Sequence, residues 1–139
     1  MKPLESELRL LVGQWVKKAA QDLATATHLA GEGAQFREAV AFHAQQAVEK
    51  YLKALLVRHQ VEFPKTHDIR QLLNLLHPLH SKTADALRDT EWLSPFGVEI
   101  RYPGDTPEML PGEEGRAVEL AGRVRDRVMA LLAGYLGGE

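Results

Sequence analysis

Apolar residues recur at three- and four-residue steps near the start of the chain. Leu8, Leu11, Val12, Trp15, Ala19, Leu23 and Ala26 form one stripe between Ser6 and Ala30, while Glu7, Lys17, Lys18 and Gln21 fall mainly elsewhere around the axis. That period predicts one long amphipathic helix. The tripeptide GEG at 31–33 is a stop signal, and from Phe36 a second helix is predicted with Val40, Ala44, Ala47, Val48, Tyr51, Ala54 and Leu55 on one face. The two should form an antiparallel hairpin. VEFPKTHD then breaks the pattern: Pro64 disfavours a helical conformation at Phe63, and Thr66 or Asp68 can cap a short helix from about Ile69 to Leu76. Pro78 interrupts again, after which Ser81 can cap another short helix containing Ala84 and Leu87. Residues 88–112 hold four of the seven prolines without a sustained period, and read as a long loop. From Glu113 to about Leu136 the helical period returns through Ala117, Val118, Ala121, Val124, Val128, Leu131, Leu132 and Tyr135.

No alternation long enough for a sheet occurs, so the expected fold is all-α. It is an up-down helical bundle of three long helices plus one or two short ones. A length of 139 residues with 45% hydrophobic content suits a single domain spanning 1–139. Seventeen basic residues against 19 acidic ones leave a net charge of -2, so any nucleotide or RNA site must be local rather than a global positive field. Cysteine is absent, which excludes disulfides, thiolate metal sites and a cysteine nucleophile. Charges interrupt the apolar residues of MKPLESELRLLVGQW, unlike a signal peptide, and no window has the roughly 18 apolar residues of a membrane span. A soluble, cytoplasmic protein with no membrane contact is the expectation.

Several polar residues stand where chemistry is possible. Asp22 lies on or beside the apolar stripe of the first helix, where it either pairs with a nearby Lys, Arg or hydroxyl or orients a catalytic base. His43 and Lys50 are seven positions apart, hence about 20° apart around the second helix, with Gln46 between them. His43 is either a satisfied core histidine or a site residue; Lys50 and Lys53 read first as solubilising cations with their heads in water. Arg70 and His77 share one side of the short helix, about 10 Å apart along its axis. An arginine that stabilises a phosphorane and a histidine that moves a proton are what metal-independent RNA cleavage requires, but this separation is too long for both to touch one phosphate without a second subunit or side-chain reach, so a capped surface helix is the preferred reading. His77 and His80 have i, i+3 spacing, but Pro78 spoils the helix that would aim both rings at one metal, and no metal or cofactor is expected. Arg101 and Tyr102, ahead of the last helix, offer a guanidinium for phosphate and a ring for a base.

The segments WVKKAAQDLATA, AVAFHAQQAVEKYLKALLV, PKTHDIRQLL and RYPGD, in this order, together resemble the HEPN domain. The resemblance covers nearly the whole chain. It implies a small helical bundle that usually dimerises, a connection with nucleotides or RNA, and, for stand-alone prokaryotic members, a minimal nucleotidyltransferase partner, commonly in a toxin-antitoxin pair. Many such domains are ribonucleases that use an Arg, then four to six intervening residues, then a His, near the last helix and contributed by both subunits. Here the residues after Arg101 read YPGDTPEML, without that histidine, and the literal match of Arg70 with His77 lies earlier in the chain. The resemblance therefore favours phosphate binding through Arg101, Tyr102, His67, Lys50 and His43, with the Arg70 and His77 ribonuclease, or a purely structural oligomerisation module, as alternatives. If a nucleotidyltransferase partner exists, Tyr102 is also an expected acceptor of a transferred nucleotide.

Overall fold

The computed structural model of the chain describes residues 4–98, 102–104 and 108–137. Three long helices, α1 (Glu5–Ala30), α2 (Arg37–Arg58) and α5 (Glu113–Leu136), pack around one core, and the short helices α3 (Ile69–Leu76) and α4 (Ser81–Ala86) lie between the second and third of them. No strand occurs among the described residues. The all-helical bundle read from the periodicity is the architecture observed.

Contacts along the helices give their directions. Asp22 reaches His43 and Lys50, and Trp15 lies by Lys53, so α1 and α2 run antiparallel, as their short connection requires. Arg37 at the start of α2 pairs with Glu114 at the start of α5, while Arg58 at the end of α2 stacks on Tyr135 near the end of α5, 4.0 Å from its centroid. Helices α2 and α5 are therefore parallel. The segment between them carries the chain back to the end of the bundle from which α2 started. The Glu114 carboxylate, although burial opposes its charge, titrates below its ordinary value because the Arg37 hydrogen bond, followed by the Gly112 amide, favours the anion.

α2 is the central helix. Val40, Ala44, Ala47, Val48, Tyr51 and Leu55 are buried as the stripe predicts, but so are Ala41, Leu52 and Leu56 on other sides. The reason is that α1 and α5 cover part of its circumference, and α3 and the following segment cover more. That following segment differs from the expected loop: Arg88–Phe96 forms a 3-10 helix that buries Thr90, Leu93 and Phe96. Its short-range turns carry no α period, which is why periodicity missed it.

Local capping divides into one success and one correction. The Asp68 carboxylate accepts from the Arg70 amide at 3.0 Å and caps α3, while the Ser94 hydroxyl of the 3-10 helix accepts from the Ile69 amide at 3.0 Å. Two of the orphan N–H groups of α3 are thereby satisfied. Ser81, by contrast, is the first residue of α4 and not its cap; His80 occupies the cap position and no side chain bonds there.

Candidate functional site

Helical geometry puts Gln45, Glu49 and Lys53 on one stripe of α2 and His43, Gln46 and Lys50 on the stripe beside it. Each stripe is organised by one carboxylate. Asp22 of α1 accepts from His43 Nδ1 at 2.9 Å through one oxygen and from the Lys50 Nζ through the other. Glu49 of α2 accepts from His67 Nδ1 at 2.8 Å through one oxygen and from Lys53 Nζ at 2.7 Å through the other. The same arrangement, a carboxylate between an imidazole and an ammonium, thus occurs twice.

The two carboxylates differ in depth. Glu49 and Lys53 are both buried, and Lys53 also donates to the Thr66 carbonyl at 3.3 Å while lying 5.7 Å and 5.5 Å from the ring centroids of Trp15 and Phe63. The head of Lys53 is therefore not in water, contrary to the expectation for a solubilising lysine. Burial of the ammonium is made tolerable by a carboxylate, a carbonyl and two aromatic rings. Gln45, fully buried, donates to Glu49 at 3.2 Å and to the His67 carbonyl at 3.0 Å, and accepts from Gln46 at 2.8 Å. These bonds pin the segment before α3 onto α2. Gly97 closes the other side: a Cβ there would lie 2.6 Å from the Gln45 side chain, so any larger residue would have to displace the Gln45 amide from its hydrogen bonds.

Both imidazoles are positioned for outside contact. A carboxylate at Nδ1 selects the tautomer with hydrogen on that nitrogen, so Nε2 is turned to accept. No described residue hydrogen-bonds Nε2 of His43 or His67, and the two side chains are 29% and 59% exposed. Between α1 and α2, touching both carboxylate centres, a groove of about 420 Å³ is lined by Leu11, Gln14, Trp15, Lys18, Glu49 and Lys50. It is mostly apolar, with cations at its edge.

Arg70 and His77, the other paired candidates, do not join this group. Arg70 and His77 are both on the exposed surface, yet Arg70 Nε turns to Glu91 of the 3-10 helix at 3.2 Å and His77 Nε2 to Asp85 of α4 at 3.4 Å. They do not converge on a common point. Tyr102 is exposed, and Arg101 lies outside the described residues. His80 meets His59, not His77, with 3.0 Å between the Nε2 atoms. Burial, then His80 and Arg58, lowers the pKa of His59 below the ordinary imidazole value.

Of the residues in these two groups and the groove, sequence reasoning named Asp22, His43, Lys50 and His67 as candidates but passed over Gln45, Glu49, Trp15 and Lys18. A partial signal existed for Glu49: with Gln45 and Lys53 it makes a polar i, i+4 row flanked by apolar positions such as Ala41, Leu52 and Leu56, and if buried such a row requires a satisfied network. Trp15 read as core because the apolar stripe does not show where a neighbouring helix leaves a gap.

The chain matches neither a curated protein nor a solved structure. A family model described as the HEPN domain matches residues 12–131, from the first helix nearly to the end of the last. With that match extending over most of its length, and taking in α2, α3 and α4 whole and the greater part of α1 and α5, the chain belongs to the HEPN domain family.

Proposed function

We propose that this HEPN protein binds a nucleotide, or the phosphate of an RNA strand, in the groove between α1 and α2. Membership of the family supports a nucleotide- or RNA-related role in general. The observation that carries the finer reading is the grouping of Trp15, Lys18 and Lys50 on one groove, beside two imidazoles whose Nδ1 atoms are held by carboxylates. An aromatic ring gives a base a stacking surface, and lysines at the edge attract phosphate without demanding a sequence. His43 and His67 offer further hydrogen bonds to a ligand that extends along α2, and Arg101 and Tyr102 are proposed to complete the contact.

A minimal nucleotidyltransferase partner in a toxin-antitoxin pair, and self-association of the chain as a homodimer or higher oligomer, belong to the same proposal. Exposed Leu10 and Leu131, outside the groove, supply apolar surface for one of these contacts. A metal-independent ribonuclease acting through Arg70 and His77 has less behind it, since the two side chains turn to separate carboxylates.

The test is anisotropy titration of a labelled single-stranded oligoribonucleotide, and of a labelled adenine nucleotide, against wild type, Trp15→Ala and Lys18→Glu. Loss of one stacked base should weaken binding by roughly 1–3 kcal/mol in Trp15→Ala. Lys18→Glu should weaken binding at low salt and flatten its salt dependence. Equal affinity in all three proteins, or no binding by wild type up to about 1 mM, would remove the groove from consideration.

A further inference from the structure

A second recess lies on the other flank of α1 from the proposed groove. Helical geometry sets Ala20, Leu23, Ala24 and Thr27 about half a turn round the axis from Leu11, Gln14, Trp15 and Lys18. There α1, α2 and α5 leave a space of about 420 Å³, walled by Ala20, Leu23 and Ala24 and floored by Tyr51 of α2, with Arg125 of α5 at its rim. Tyr51 is 1% exposed, yet no described residue hydrogen-bonds its hydroxyl. A buried tyrosine hydroxyl ordinarily has a partner. Burial raises its pKa above the ordinary phenol value, although Arg125 opposes the rise and Asp126 adds to it, so the oxygen keeps a proton to donate into the recess. Arg125 has matching capacity. Its Nε is held by Asp126 at 2.9 Å, while its Nη groups have no described acceptor. The neighbouring cations are engaged elsewhere, Arg123 with Asp89 and His28 with Glu32.

We propose that this recess binds a small monocarboxylic acid with an apolar body, whose carboxylate accepts from the Arg125 Nη groups and from the Tyr51 hydroxyl. Apolar walls with a few convergent polar groups are the ordinary composition of a small-molecule site. A planar guanidinium matches a carboxylate with two parallel hydrogen bonds, and a neutral hydroxyl adds a third without adding charge. The surrounding charge sets the class. Beyond Arg125 the recess continues along α5 to Glu119 and Asp126, so two carboxylates stand near the one guanidinium that faces the site. They disfavour a phosphate dianion. A carboxylate brings a single charge to Arg125, and its apolar body lies on Leu23, Ala20 and Ala24 rather than toward the acids. The site is separate from the groove of Trp15 and Lys18 and does not rest on the nucleotide reading.

The experiment is calorimetric titration of the full chain with sodium hexanoate, with hexanamide, sodium acetate and sodium phosphate as comparison ligands, for wild type, Tyr51→Phe and Arg125→Gln. The ligand-free melting temperature is recorded for each protein. Tyr51→Phe keeps the ring in the core and removes only a hydroxyl without a described partner, so its melting temperature should not fall. One hexanoate per chain in the wild type, with affinity lower by roughly tenfold or more for the three comparison ligands, would support the site. Hexanoate affinity should also fall roughly threefold to tenfold in Tyr51→Phe and roughly tenfold or more in Arg125→Gln. No saturable hexanoate binding up to about 10 mM, equal affinity for hexanoate and hexanamide, tighter binding of phosphate, or equal affinity in wild type and both variants would overturn it. A lower ligand-free melting temperature in Tyr51→Phe would make the hydroxyl a structural group and overturn it as well.

Discussion

The polar face of α2 and the polar face of α3 use the same residue types to opposite ends. On α2, Asp22 and Glu49 each draw one histidine and one lysine together, and buried Gln45 joins the second of these groups to the segment before α3. On α3, Arg70 and His77 share a face of the helix but are claimed by two different carboxylates on two different elements. Spacing along one helix therefore says little about convergence. What makes a site is an acceptor placed between donors, and that acceptor comes from wherever the neighbouring element is packed.

The difference in depth gives the predictions their order. Glu49→Ala leaves Lys53 buried without its carboxylate and should cost about 3–5 kcal/mol in urea unfolding, whereas replacing both together by Leu and Met should be close to neutral. A loss below about 1 kcal/mol for Glu49→Ala would show that Lys53 escapes to water, and the contrast with α3 would then disappear. Asp22→Asn removes the charge of a less enclosed group and leaves one accepting oxygen for two donors; it should cost about 1–3 kcal/mol, with the His43 imidazole resonances in NMR spectra shifting as its hydrogen bond changes. Gly97→Ala forces a methyl group onto the Gln45 amide and should cost about 1–3 kcal/mol, read as a lower melting temperature. An unchanged melting temperature would mean that Gln45 turns aside and that its bonds to Glu49 and His67 are not rigid. Arg70→Ala and His77→Ala, on the solvent side of α3, should each change stability by less than about 0.5 kcal/mol. A larger effect in either would make α3 resemble α2 after all.

The resemblance carried by AFHAQQAVEKYLKALLV and PKTHDIRQLL pointed to a polar edge that adjoins the groove proposed as the site, since Lys50 lines it and His43 and His67 share carboxylates with Lys50 and Lys53. Asp22 could also be picked out, because a carboxylate near an apolar stripe requires a partner; that it would hold two was not readable, since the second partner is set by the register of α1 against α2. Glu49 was hidden for a similar reason. On an isolated helix it looks like half of a surface i, i+4 pair, and only the covering of α2 by the segment before α3 makes it internal. The 3-10 helix at Arg88–Phe96 escaped because its turns follow a shorter period than the one that identifies α-helices.

By itself the sequence determined the helices, the hairpin of α1 with α2, the Asp68 cap of α3 and the polar row on α2, because each depends on residues within a few turns of one another. Tertiary structure alone decided that α5 runs parallel to α2, that His59 meets His80, and that two carboxylates each gather a histidine and a lysine. Periodicity states which side of a helix is apolar, but it carries no information on the direction or register of the helix packed against that side. Those are settled by how the connecting segments bury their own apolar residues, and the side-chain meetings that make up the candidate site follow from that packing.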